Sequence, residues 1–368
     1  MIQVKNQMVK RFDWLLFSMI IIAALVGIFA IYSATRSLDT TSNVVVQTGS
    51  LVIGIAVMTI ISIFDYEQFD VLTKFIYGFC IILLLLVLIL GTAGDWGARS
   101  WIRIGPIGIQ PAEIAKLGFI ITFAKFLAKT GDNINHPLNV LISLGYVGIL
   151  SALIMCQPDA GSTMVLVFIF LCMIFSAGLS WKYIVPTLVV GAASLPLIYN
   201  FLLDEFQKNR IRVFLNPELD PKNTGYNVIQ SKIAIGSGQI SGKGYMQGIQ
   251  NQMGHLPTKH TDFIFSTVAE EFGFIGAVSV VILLFAIIWR CISTAQKSPT
   301  LYGKYMCVGV AAMLTFHTFE NIGMSMGLVP VTGIPLPFIS YGGTSLLVNM
   351  AAMGLVMSVS MRCNDTLF

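Results

Sequence analysis

Long apolar runs recur along almost the whole chain, and they limit the possible folds more than any other feature. A run of about 18 or more apolar residues can cross a hydrocarbon core of about 30 Å as an α-helix. Hydrophobic residues make up 55% of this chain and charged residues only 11%, whereas ordinary soluble domains carry about 25% charged residues. The sequence therefore predicts an all-α polytopic membrane protein and excludes a soluble globule.

The apolar runs predict about ten transmembrane helices, which we number in chain order. The predicted spans are 14–35, 44–64, 70–90, 112–128, 137–156, 161–178, 183–203, 264–289, 303–327 and 343–361. One sizeable polar segment, 204–263, interrupts the series between the seventh and eighth spans. We therefore expect a single membrane domain over 1–368 that contains one large loop.

The distribution of Lys and Arg in short loops predicts the orientation, because these residues are enriched on the cytoplasmic side. With the N-terminus inside, the basic residues of the cytoplasmic ends and loops are Lys5, Lys10, Arg11, Lys74, Lys125, Lys129, Lys182, Arg290, Lys297, Lys304 and Arg362. The short outer loops hold Arg36, Arg99 and Arg103. We therefore expect both termini in the cytoplasm and the 204–263 loop outside.

The 204–263 loop is rich in Lys and Arg although it is predicted to lie outside. Two hypotheses explain these positive charges. Long loops are translocated largely regardless of their charge, so ordinary solvation is one of them. The other is an anionic ligand at the outer leaflet, attracted by these positive charges. Composition alone leaves both open.

Several polar residues lie within or at the ends of predicted spans, where they are costly and therefore candidates for function. Glu113 and Lys116 are three apart, on one face of a helix, where their charges can neutralise each other. Asp159 follows Pro158 at an outer helix end, and Glu320 with Asn321 lies inside the ninth span. A packing role through an interhelical hydrogen bond or ion pair is the alternative for each.

The sequence does not predict a metal site or a nucleotide-binding loop. His255 and His260 are five apart in the outer loop, but no third ligand stands at a familiar spacing. The six cysteines are scattered without paired spacing, so we expect neither a disulfide nor a metal cluster. The stretch "GSGQISGKGYMQG" (236–248) lacks the Gly and the Ser or Thr that a phosphate-binding loop needs around Lys243. We predict a bent loop there.

Five longer motifs carry a resemblance to a known family. They are "WIRIGPIGIQPAEIAKL", "QPDAGS", "FLNPELDPKNTGYNVIQSKIAIGSG", "HTDFIFSTVAEEFGFIG" and "GLVPVTGIPLPFISYGGTSLL". In order and spacing they resemble the SEDS family, the shape, elongation, division and sporulation proteins. The wording "NPELDP" and "SKIAIGSG" is more similar to the elongation members, RodA, than to the division members, FtsW.

The resemblance implies a function at the bacterial cytoplasmic membrane. SEDS proteins are ten-helix glycosyltransferases that polymerise lipid II into peptidoglycan strands at the outer face, here for elongation and rod shape. The implied partners are a class B penicillin-binding protein, which is the crosslinking transpeptidase, and other elongation proteins, with no nucleic acid. A lipid II flippase and a non-enzymatic scaffold of a cell-wall complex are the alternatives. The richest polar constellation lies at the outer rim rather than near the midplane, which favours the enzyme over a transporter.

The resemblance also implies roles for particular residues. Asp262, in the "HTDF" motif, is the expected base that takes the proton of the acceptor hydroxyl. The expected substrate-binding residues are Arg99, Arg103, Glu113, Lys116, Asp159, Lys243 and His260. The positive groups would offset the charge of the leaving diphosphate, with Mg²⁺ or Mn²⁺ as a further candidate for this task. No organic cofactor is expected.

Overall fold

The computed structural model describes residues 11–36, 41–91, 100–104, 107–220, 224–256 and 258–363. This part of the chain is largely α-helical. The helices are α1 (Trp14–Arg36), α2 (Ser42–Ile63), α3 (Gln68–Leu90), α4 (Pro111–Thr130), α5 (Pro137–Met155), α6 (Ala160–Ser176), α7 (Trp181–Leu197), α8 (Glu205–Leu215), α9 (Thr224–Ser237), α10 (Ile249–Gln252), α11 (Ile264–Lys297), α12 (Leu301–Met326) and α13 (Gly343–Arg362).

Each predicted span corresponds to one of the long helices α1–α7 and α11–α13, so the ten-helix prediction is confirmed. By length and apolar composition alone, six of the described helices could cross a membrane: α1, α2, α3, α5, α11 and α13. The remaining four are less apolar or shorter. Helix α4 carries Glu113 and Lys116, α12 carries Glu320, and α6 and α7 are 17 residues long.

Burial separates central helices from peripheral ones. In α13, 83% of the most apolar stretch is buried, against 22% in α2, α3 and α5. Helix α13 packs along α2, and α12 contacts α4, α6 and α11. The exposed faces of the peripheral helices carry large apolar side chains such as Phe75 and Ile89, as expected for surfaces that face lipid.

A short antiparallel hairpin precedes α4. Strand β1 (Ile102–Ile104) pairs with β2 (Ile107–Ile109), and Ile102 lies opposite Ile109. The hairpin places Arg103 near the beginning of α4.

Helix α11 is broken at Gly273, whose backbone (φ 67°, ψ −163°) is not helical. A break frees backbone groups that would otherwise pair within the helix. The glycine-rich stretch 236–248 binds them: the Lys243 amide donates to the Glu270 carbonyl (3.0 Å), and the Phe274 amide donates to the Gln239 carbonyl (2.8 Å). A Cβ on Gly242 would lie 2.2 Å from the Glu271 carbonyl oxygen. The glycines therefore permit the loop to approach the helix break.

Candidate active site

A large cavity of about 1880 Å³ opens among α2, α4, α6, α8 and the segments that flank α11 and α12. Its polar lining lies near the beginnings of α4, α6 and α13, and includes Arg103, Asp159, Arg210, His260, Asp262 and Glu320. One to three turns further into the helices the lining is apolar, with Leu117, Val167, Phe168 and Leu171. Sites for drug-sized ligands are usually about 300–1000 Å³. This cavity therefore suits a larger ligand with a polar head and an apolar tail.

Asp262 lies in the turn that leads into α11, and 5% of the residue is exposed. The next residue, Phe263, is fully buried in a small cluster with Val228, Leu256 and Met324. The Phe263 amide also donates to the Thr258 carbonyl, at 3.3 Å. Phe263 therefore anchors this turn, and its neighbour Asp262 is one of the residues that line the cavity.

Arg210 is a cavity residue that the sequence did not single out. It lies on α8, and its Nη1 atom donates to the Thr332 carbonyl oxygen at 3.3 Å. Burial lowers the pKa of the Arg210 guanidinium, while the charges of Asp262 and Asp159 act in the opposite direction. Arg210, Asp262 and Asp159 therefore share the polar end of the cavity.

Helical spacing in "EFQKNRIRVFL", once the burial of its residues is known, explains why Arg210 and not Arg212 lines the cavity. Gln207 and Val213, three residues to either side, are both buried, so the three residues share one inward face. Arg212 lies on the opposite face and is half exposed, with its Nη1 atom 3.5 Å from Glu205. The two arginines of this helix thus have different surroundings.

Asp159 caps the N-terminus of α6. Its Oδ1 accepts from the Ser162 amide at 2.9 Å, and its Oδ2 accepts from the Ser162 hydroxyl at 2.9 Å and from Gln110 Nε2 at 3.3 Å. These bonds fix the carboxylate and stabilise the helix end. Asp159 lines the cavity in a fixed orientation, which suits binding better than proton transfer.

Arg103 and His260 also line the cavity. The Arg103 side chain is exposed on β1, and His260 is partly buried. The His260 carbonyl accepts from the Tyr341 amide at 2.9 Å, which joins the "HTDF" turn to the segment before α13. Arg99 lies outside the described residues.

Glu113 and Lys116 lie behind the cavity wall. Lys116 Nζ is 2.7 Å from Glu113 Oε1 and 3.0 Å from His317 Nε2, and all three residues are at least 98% buried. Their neighbours Ile114 and Leu117 line the cavity instead, because each residue turns a helix by about 100°. The structure does not bring this pair to the surface that a substrate would contact.

Lys243 belongs to a second polar cluster, outside the cavity. Its Nζ lies 3.8 Å from Glu270 Oε1, and the same carboxylate accepts from the amides of Gln250 (2.8 Å) and Asn251 (3.0 Å). Glu271 accepts from Asn251 Nδ2 at 2.8 Å and from the Ser33 hydroxyl. Glu270 and Glu271 therefore hold α10 and the outer loop against α1 and α11.

Metal ligands are not grouped in the part of the chain that the structure describes. No set of three His, Cys, Asp or Glu side chains lies close enough there to hold an ion. A cation at this site would need to bring further ligands with it, such as the oxygens of a diphosphate.

The fold and the cavity define a multi-pass membrane protein with a carboxylate and arginine site at the polar end of a lipid-sized groove. The profile of the FtsW, RodA and SpoVE family, described as cell cycle proteins, matches residues 13–365. The chain belongs to this family, which confirms the SEDS resemblance.

Curated relatives and solved structures agree with this membership. The chain is 38% identical over 312 residues to the peptidoglycan glycosyltransferase MrdB of Escherichia coli K12, covering 84% of each chain. It is 32% identical over 429 residues to the peptidoglycan glycosyltransferase RodA of Treponema pallidum, covering 96% of this chain and 98% of the relative. With Thermus thermophilus RodA the TM-score is 0.70 at 29% identity, covering 95% and 96% of the two chains.

A further structural relative comes from a peptidoglycan synthase complex that coordinates polymerization and crosslinking. Its chain has a TM-score of 0.83 and 29% identity to this protein, and the match covers 96% of this chain and 99% of the other. The fold is therefore RodA-like over nearly its full length.

Proposed function

We propose that this protein is a peptidoglycan glycosyltransferase of the elongation type, which polymerises lipid II into glycan strands at the outer face of the bacterial cytoplasmic membrane. The relatives named above as peptidoglycan glycosyltransferases support this activity. The observation that carries the proposal is the presence of Asp262 and Arg210 in one cavity that continues into an apolar groove. A lipid diphosphate sugar needs both environments, since its head is polar and its tail belongs in the bilayer.

Asp262 would act as the general base. An acceptor hydroxyl is a weak nucleophile until a base removes its proton. As the Asp262 carboxylate takes this proton, the hydroxyl oxygen bonds to the anomeric carbon and the bond from that carbon to the diphosphate breaks. A single direct displacement inverts the anomeric centre, which converts an α-linked donor into a β-linked polymer.

Arg210 and Arg103 would bind the departing diphosphate. A guanidinium presents two parallel N–H donors to oxyanions, and this stabilises the negative charge that develops on the leaving group. Arg99 is a predicted contributor that lies outside the described residues. Lys116 and Lys243 would contribute as substrate contacts only after leaving the ion pairs that hold them. Mg²⁺ or Mn²⁺, if held at this end of the cavity, would add to the same stabilisation of negative charge.

The proposal includes a partner and an orientation. The structural relative from a complex that joins polymerization to crosslinking supports a class B penicillin-binding protein as partner, together with other elongation proteins. The excess of Lys and Arg at the proposed inner ends supports cytoplasmic termini. The 204–263 loop then lies outside, within one membrane domain.

Purified protein in lipid vesicles tests the proposal directly. Lipid II is added with and without a class B penicillin-binding protein, and glycan polymer is measured by gel electrophoresis. We expect polymer in at least the sample that contains the partner. Transfer of lipid II between leaflets without polymer would instead support the flippase. Neither activity in the presence of the partner would support the scaffold.

A further inference from the structure

Asn321 joins two segments that line the cavity. Its side chain is fully buried on α12, and its Nδ2 atom donates to the Asp262 carbonyl oxygen at 2.9 Å and to the Ile334 carbonyl oxygen at 2.8 Å. Asp262 belongs to the turn before α11, and Ile334 to the segment between α12 and α13. One amide group therefore holds the main chain of the proposed base against the other wall of the cavity.

The orientation of this amide follows from its surroundings. A flipped side chain would place Oδ1 against two carbonyl oxygens, and an oxygen cannot donate to them. In the observed orientation the Oδ1 atom is buried and has no hydrogen-bond partner among the described residues. A buried polar atom without a partner costs stability. The two bonds to Asp262 and Ile334 are the compensating interactions that explain an asparagine at this position.

Glu320, the residue before Asn321, is connected to Arg210 through Thr332. Glu320 Oε1 accepts from the Thr332 hydroxyl at 2.9 Å, and the Thr332 carbonyl accepts from Arg210 Nη1 at 3.3 Å. Both connections start from one turn of α12. This turn therefore sets the position of the Asp262 carboxylate relative to the Arg210 guanidinium.

We propose that Asn321 is a positioning residue for the glycosyl transfer, one that holds Asp262 at a fixed separation from the 332–334 segment that binds Arg210. The inference rests on the proposed function. Catalysis by a base requires the carboxylate to meet the acceptor hydroxyl while the diphosphate lies on the cation, and a misplacement of about 1 Å can cost on the order of 10²-fold in rate. Asn321 itself does not line the cavity, so it acts through Asp262.

The test compares two substitutions with a matched control. Asn321→Asp keeps the size of the side chain but replaces the donor by a carboxylate, and Asn321→Leu removes all polarity while keeping the branched shape in a bulkier side chain. Ser358→Ala removes a part-buried bond to another backbone carbonyl, from Ser358 to Phe64 (2.7 Å), and the bond that the Ser358 hydroxyl accepts from Arg362 Nη1 (2.8 Å), near the other end of α13. We expect kcat for lipid II polymerisation to fall on the order of 10²-fold in both Asn321 variants, with little change in KM. Ser358→Ala should keep the wild-type kcat.

A double variant distinguishes positioning from a general structural defect. If Asn321 acts through Asp262, adding Asn321→Leu to Asp262→Asn should lower the residual rate no further. Losses that multiply would overturn the inference, as would a wild-type kcat in Asn321→Leu. If Asn321→Asp is not recovered in folded form, Asn321→Leu decides the question. A wild-type protein that makes no polymer would overturn the proposed function itself. This result is distinguishable from the two that overturn only the role of Asn321, because the wild type and every variant would then be inactive.

Discussion

The negative charge of the Asp262 carboxylate raises the pKa of the Arg210 guanidinium, whereas burial lowers it. The two groups come from different elements, the turn before α11 and helix α8. Because both line the same cavity, the site contains a proton acceptor and a permanent cation. Such a pair suits a reaction in which one substrate loses a proton and the other releases an anion.

Arg210→Gln should weaken the use of lipid II. The lost charged hydrogen bonds are worth about 1.5–3 kcal/mol, so we expect kcat/KM to fall by roughly 10- to 150-fold. Arg210→Lys should restore only part of the loss, because an ammonium lacks the two-pronged donor geometry. Arg212→Gln is the matched control, since Arg212 lies on the same helix but outside the cavity. Equal losses at Arg210 and Arg212 would argue against a diphosphate site at Arg210.

Lys116→Met should destabilise the protein, because it leaves Glu113 buried without its partner. Removal of one member of a buried ion pair costs about 3–5 kcal/mol. The double variant Glu113→Gln with Lys116→Met should regain much of this stability, measured as the thermal unfolding midpoint of the purified protein. If Lys116 also binds substrate, the double variant will be stable but inactive. Recovery of both stability and activity would restrict Lys116 to a packing role.

Gly242→Ala should disrupt the contact between the glycine-rich stretch and the break in α11. Gly242 has a positive φ of 81°, and an added Cβ would meet the Glu271 carbonyl oxygen. Backbone strain of this kind costs about 1–3 kcal/mol, which should lower the unfolding midpoint. Gly236→Ala is the control in the same stretch, because open space surrounds its Cβ position. Similar midpoints for the two variants would contradict the docking of this loop.

Thiol labelling checks the proposed topology. In a variant without native cysteines, Met253→Cys should react with a membrane-impermeant reagent added outside the cell, because Met253 is 68% exposed and lies in the outer loop. Lys297→Cys, at the exposed end of α11, should react only after the membrane is permeabilised. Labelling of Lys297→Cys in intact cells would reverse the orientation.

The helices were predictable because transmembrane spans are local: each apolar run carries its own signal. Asp262 was selected through the resemblance of its "HTDF" motif; the structure places it in the cavity lining, and its role as the base stays a prediction. The position of Arg210 was not predictable, because the "NRIRVFL" helix contains two arginines and only the fold shows which one lines the cavity with Asp159 and Asp262. Bonds such as Asn321 to Asp262 join residues 59 positions apart, and hydrophobic periodicity contains no information about such pairs.

The central claim is that Asp262 is the base of a polymerase. Asp262→Asn keeps the size of the side chain and removes its ability to accept a proton, so lipid II polymerisation should fall by roughly 10²- to 10⁴-fold. Phe263, which is buried in the cluster beside this turn, anchors the beginning of α11 in both proteins, and we expect the variant to remain folded, which its unfolding midpoint checks. The decisive measurement is the initial rate of glycan polymerisation by wild-type and Asp262→Asn proteins in the same vesicles with the same transpeptidase. A rate near that of the wild type in the asparagine variant would contradict the account.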